Sequence, residues 1–111
     1  MDVENSKAQM KKGVLEYCTL AVLSSGAAYA SDIISRLRES DLVVVEGTIY
    51  PLLTRMKNDG LLAYRWEEST MGPPRKYYEL TENGRTFLLE LHRTWCDFTA
   101  SVDKIVKHLN K

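Results

Sequence analysis

Val14, Leu15, Cys18, Ala21, Val22 and Leu23 recur at helical spacing and cover more than one face, which predicts a first helix with two apolar neighbours. Ser6 followed by Gln9 has the form of a capping box, so this helix is expected to open near Ser6, run through MKKGVLEYCTLAVLSS and stop at Gly26. After the turn GAAY, Ser31 or Asp32 opens a short second helix carried by Ile33, Ile34 and Leu37 and ending near Ser40. DLVVVEG reads as a mostly buried connection to a third helix, EGTIYPLLTRMKNDGLL, with Ile49, Leu52, Leu53 and Met56 inward and a stop at Asp59 and Gly60. Two short helices joined tightly suggest a helix-turn-helix. The period then shortens to two: Leu62, Tyr64 and Trp66 alternate with Ala63, Arg65 and Glu67, and RKYYEL answers them across the loop STMGPP. A helix-turn-helix followed by a hairpin is a winged helix.

From Thr81 the spacing changes again. Leu88, Leu91, Trp95, Phe98, Val102, Ile105 and Leu109 alternate three and four apart, a heptad seam. A helix of about 28 residues would be roughly 40 Å long, against a radius of gyration near 13 Å for a compact domain of this size. Its far half outruns its own domain, which predicts a partner chain. The fold class expected is mainly α with a β-hairpin wing: a winged helix-turn-helix over residues 1–80 and a long C-terminal dimerisation helix over 81–111.

Pro51 stands inside the third helix, where proline costs about 3 kcal/mol unless it falls in the first turn. With Thr48 as N-cap, Pro51 would be the third helical residue and its missing N–H would cost nothing. Such an end suits DNA, because free N–H groups and the positive end of the helix dipole attract phosphate, while the hydroxyls of Thr48 and Tyr50 reach phosphate or base edges. The competing account is that Thr48 only caps and Tyr50 only packs. Arg55 and Lys57 point away from the inward stripe. Arg75 and Lys76 at the wing, with Lys11 and Lys12 at the front of the first helix, would make a cationic face; mere solvation is the alternative for each.

The 111 residues make one domain, and 15 basic against 15 acidic residues argue against a chain that coats nucleic acid indiscriminately. A neutral total also suits a winged helix used as a protein-interaction module. The chain has no apolar run long enough to span a membrane, and its acidic, polar start is unlike a signal peptide, so the expected location is the cytoplasm. Cys18 and Cys96 are expected to be buried thiols. His92 and Cys96, four apart, are too few for zinc, and no metal or cofactor is expected. A redox role for Cys96 would need an exposed thiolate of lowered pKa. Without a Gly-rich phosphate loop, nucleophile elbow or paired histidines, the chain does not read as an enzyme.

KKGVLEYCTLAVL, EGTIYPLLTRMKNDGLL and GPPRKYYELTENGR, in order and at suitable spacing, resemble the PadR family of bacterial transcriptional regulators. The resemblance implies a homodimeric winged-helix repressor on double-stranded DNA, of the compact kind with one helix after the wing. That helix would pack on the partner's first helix, bringing Leu15 into the dimer contact. Carried over by position, Thr48, Tyr50, Pro51 and Arg55 belong to the recognition helix and Arg75 and Lys76 to the wing. The family's second helix opens with a Tyr-Gly-Tyr-Glu-like stretch; this chain keeps Tyr29, which the resemblance makes a DNA-binding residue, but has Ala30 and Ser31 next. Some relatives hold flat aromatic compounds between paired C-terminal helices, which would give Trp95, helped by Phe98, a stacking role; simple packing in the seam is the alternative. A twofold dimer would meet a palindromic site if its reading helices stand about 34 Å apart.

Overall fold

The computed structural model describes residues 1–69 and 71–110. Thr70, within the expected loop, and Lys111, the end of the expected C-terminal helix, lie outside the described residues. The chain runs α1 (Val3–Ser24), β1 (Ala28–Tyr29), α2 (Ala30–Glu39), α3 (Glu46–Asn58), β2 (Leu62–Ser69), β3 (Gly72–Leu80) and α4 (Glu82–Val106), closed by a 3-10 turn at Lys107–Asn110. It is mainly helical with one small antiparallel sheet in the order β1-β3-β2.

Helices α1, α2 and α3 each begin earlier than their sequence signals suggest. Asp2 accepts from the Glu4 N–H at 2.9 Å and so opens α1 four residues ahead of Ser6. Lys11 and Lys12 therefore lie at mid-helix rather than at its front. Ala28 and Tyr29, read as turn, pair with Tyr78 and Tyr77 of β3, so α2 follows the strand directly. Its opening is closed by the Asp32 carboxylate, which accepts from the Tyr29 N–H at 3.1 Å. In α3 the N-cap is Val45, and the Thr48 and Ile49 N–H groups both turn back to its carbonyl.

Thr48 is thus an early helical residue and Pro51 the sixth, in the second turn, where its missing donor leaves the Gly47 carbonyl without its helical partner. Gly47 is exposed, so water can satisfy that carbonyl. Pro51→Ala restores the bond and should raise the unfolding free energy by about 1–2 kcal/mol after allowing for the looser unfolded chain. Chemical denaturation checks it; no gain would favour a start at Thr48. The far end of α3 matches its signal: Gly60, at φ 79, lets its own N–H reach Lys57 and the Leu61 N–H reach Met56, each at 3.0 Å.

Leu20, Leu23, Ile33, Ile49, Leu53 and Met56 form the innermost core, joined by Leu62, Tyr78 and Leu80 from the sheet. Helix α1 meets α2, β3 and α4, as its wide apolar face requires. The inward stripe of α3 is the expected one, each member at most 6% exposed. In the α2–α3 connection only Val44 is buried; Val43 and Val45 are exposed, because so short a link can turn just one valine inward. The hairpin loop is shorter than expected, since Pro73 and Pro74 already belong to β3. At the α4 start the Thr81 hydroxyl accepts from the Gly84 N–H at 3.0 Å and donates to the Gly60 carbonyl at 2.6 Å, tying α3 to α4.

After Leu88 and Leu91, which rest on the core, α4 carries mostly exposed side chains. Its one buried residue is Gly84, and the Cα radius of gyration is 16.1 Å with a longest dimension of 55 Å. Among the described residues no helix is long and apolar enough to cross a membrane.

Candidate nucleic-acid interface

Because Ile49, Leu52, Leu53 and Met56 are committed to the core, Thr48, Tyr50, Pro51, Thr54 and Arg55 are left on the open side of α3. The wing stands beside that side. Between them runs a groove of about 450 Å³ lined by Tyr29, Ser31, Glu46, Tyr50, Thr54, Trp66, Arg75 and Lys76. Thr54 was not singled out by sequence patterning, and Ser31 only as a helix opener; Trp66 reads as an ordinary inward strand residue, yet it sits beyond the core edge and is 60% exposed.

The ladder explains how the two wing cations are held. Leu62, Tyr64 and Trp66 lie opposite Leu80, Tyr78 and Lys76, and Arg65 and Glu67 opposite Tyr77 and Arg75. Adjacent strand residues face opposite ways, so Arg75 and Lys76 cannot act as a side-by-side pair. Lys76 lies on the Trp66 face, its ammonium 4.5 Å from the Tyr64 ring centre and 5.5 Å from that of Trp66. On the other face the Arg75 guanidinium carbon lies 3.9 Å from the centre of the Tyr29 ring, and Nη1 donates to the Ser31 hydroxyl at 3.4 Å. Arg65 takes the next place, 4.8 Å over Tyr77. Burial, reinforced by Tyr50 and Tyr64 nearby, pushes the Tyr78 phenol above its usual pKa, so it stays neutral below the wing.

The remaining expected cations are less free. Arg55 forms an ion pair with Glu16 of α1 at 3.4 Å, both side chains more than one-third exposed, so the tether is weak. Lys11 donates to the Val43 carbonyl at 2.9 Å, which turns it toward the α2–α3 connection. Lys12 is exposed. Arg38 borders a second notch with Ser31, Val45, Glu46 and Gly47 at the front of α3 and was not among the expected residues.

The C-terminal seam splits in two. Leu88 and Leu91 pack half-buried on their own core, whereas Phe98, Ile105 and Leu109 are 63%, 72% and 70% exposed. Leu15, which the resemblance brings to the dimer contact, is 4% exposed inside its own core and has no surface left to offer. Along α4 and the free front of α1 runs an apolar groove of about 640 Å³ lined by Met10, Val14, Tyr17, Leu91, Trp95, Phe98 and Val102. Tyr17, also unmarked by sequence patterning, has its ring tilted 5.9 Å from that of Trp95 and shares a 2.5 Å hydrogen bond between its hydroxyl and His92 Nδ1.

Cys96, expected to be buried, is exposed, its sulfur 3.9 Å from His92 Nε2; it lies on the α4 stretch that has left the domain. Cys18 is half-buried, and burial raises its thiol pKa. Among the described residues no three His, Cys, Asp or Glu side chains gather as a metal site would require.

Comparison with known proteins supplies the context for this geometry. The model of the transcriptional regulator PadR-like family matches residues 19–90. A PadR-like transcription factor from Bacteroides fragilis is 58% identical, the match covering 91% of this chain and 98% of that one, with a TM-score of 0.78. A PadR-like transcriptional regulator from Bacillus cereus is 35% identical over 88% of this chain and 96% of that one, with a TM-score of 0.77. The PadR of Bacillus subtilis, whose structure is of a complex with operator DNA, is 27% identical over 70% of this chain and 46% of its own, with a TM-score of 0.66.

Proposed function

Since this chain belongs to the PadR-like family of transcriptional regulators, and so to a family of regulators rather than enzymes, we propose that it binds operator DNA as a homodimeric repressor. Residues 1–80 make up its DNA-binding unit and 81–111 its dimerisation helix. The observation that carries this reading is the groove between α3 and the wing, where Tyr50, Thr54, Arg75 and Lys76 border one open surface while the opposite side of α3 is sealed in the core. The Bacillus subtilis relative bound to operator DNA supports the same use of the fold. Thr48, Tyr50 and Arg55 enter the major groove and read it, Arg55 leaving Glu16 for a stronger partner. Arg75 and Lys76 engage phosphates on either side of the wing, and Lys12 adds to the approach field.

Dimerisation closes Trp95, Phe98, Val102, Ile105 and Leu109 against a second copy and sets the two reading helices at the spacing of a palindromic site. The apolar groove beside Trp95 has the size of a small-molecule site, and a flat aromatic effector would stack there on Trp95 and Phe98 between the paired C-terminal helices.

The test is a titration of duplexes from the region upstream of the protein's own gene across a range of salt. Phosphate contact makes log affinity fall against log salt with a slope of about −0.9 per neutralised phosphate. Replacing Arg75 and Lys76 by alanine should weaken binding to every duplex and reduce that slope by about 1 per lost contact. Unchanged affinity removes the wing from the interface. If no upstream duplex binds even at low salt, the fold serves as a protein-interaction module, the use its zero net charge favours.

A further inference from the structure

Arg75 reaches from the wing to the helix-turn-helix through two groups at the α2 opening. Its guanidinium lies 3.9 Å over the Tyr29 ring while its Nη1 reaches the Ser31 hydroxyl. Tyr29 is in turn fixed from three sides. Its backbone pairs with Tyr77 of β3, its N–H is held by Asp32, and its ring rests 4.9 Å from the Tyr77 ring. Ser31 is free to serve as the second anchor because the strand carries the chain straight into α2, leaving its hydroxyl unused as a cap.

An exposed arginine loses rotamer freedom when a ligand immobilises it. An arginine already held over an aromatic face loses less. For a chain with no excess positive charge, aiming the few cations it has is a physically direct way to gain affinity for a polyanion.

We infer that Tyr29 is a positioning residue: its ring is a platform that holds the Arg75 guanidinium beside Ser31, poised for a DNA phosphate at the junction of wing and α2. The ring acts through Arg75 and not by contact of its own hydroxyl with the backbone. This rests on the wing's phosphate contact proposed above and assigns how that contact is built.

The test uses a fluorescently labelled mixed-sequence duplex of about 30 base pairs at about 50 mM salt, which reads backbone contact without an operator. Tyr29→Phe keeps the platform and should bind within about twofold of the native protein, whereas Tyr29→Leu should bind about threefold to tenfold more weakly. Joined to Arg75→Ala, Tyr29→Leu should add nothing, since the arginine it positions is gone. A Phe variant as weak as the Leu variant means the hydroxyl itself touches DNA and overturns the inference. Additive losses in the double variant overturn it too, while leaving the wing contact standing. If Arg75→Ala binds as the native protein does, the wing contact fails and the platform with it.

A reading that needs no variant covers the case in which Tyr29→Leu fails to fold. In the unliganded native protein the Arg75 Cδ protons should resonate upfield of their random-coil position because the Tyr29 ring current shields them. Random-coil shifts would overturn the inference.

Discussion

Phe98→Glu should leave a folded protein that sediments as a monomer at micromolar concentration and binds an upstream palindromic duplex at least about a hundredfold more weakly than the native chain. Phe98 is 63% exposed in the single chain, so a carboxylate there meets water and the domain keeps its stability. In a closed seam the twofold axis brings two such carboxylates into apolar surroundings, where an unpaired charge is costly. Without the proposed dimer the two reading helices would part, and the second half-site contact would lose the effective concentration that tethering provides. Trp95→Glu should behave alike but at some expense of stability, because Trp95 also rests on Tyr17. Analytical ultracentrifugation beside the binding assay decides it. A Phe98→Glu protein that remains dimeric would remove the seam from the assembly, and a monomer that still grips the palindrome would remove the need for two heads.

The second large effect is at Gly84, where alanine should lower the unfolding free energy by about 2–4 kcal/mol. In most helices the same change helps by up to about 1 kcal/mol, so even its sign is diagnostic. Here an added Cβ would stand 2.1 Å from the Leu61 carbonyl oxygen and 3.1 Å from its carbon, with Leu80 at 3.3 Å. Backbone must move, and the carbonyl that moves is the one accepting from the Thr81 N–H at 3.1 Å. The shift would therefore loosen the Thr81 knot by which α4 is tied to the end of α3. Urea denaturation at fixed protein concentration measures it, concentration being held because the proposed dimer would contribute to apparent stability. A variant within about 0.5 kcal/mol of the native chain would show that α4 can lift off Leu61 without penalty.

These residues also mark how far sequence reading reached. The stripe of α3, its stop at Gly60 and the pairing of β2 with β3 as a hairpin were legible because each follows from a local period or a local backbone requirement. The α3 start was not, because Thr48 and Val45 compete to open the same turn and the winner depends on where the connection from α2 delivers the chain. Neither was β1: two residues carry no period, and they become a strand only because β3 offers its edge to Ala28 and Tyr29. Gly84 looked like any early-helix glycine, since the Leu61 backbone that crowds it is 23 residues away in sequence.

Apolar periodicity alone determined the four helices and the hairpin of this protein, the side of α3 that must stay open and the α4 stripe that outruns its own domain, because side chains at helical or strand spacing share a face whatever surrounds them. The tertiary structure decided which groups act together. It buried Leu15, turned Arg75 and Lys76 to opposite faces of the wing, tied Arg55 to Glu16 and laid Arg75 on Tyr29. Those outcomes depend on strand register and on contacts between distant elements, and no local pattern encodes either.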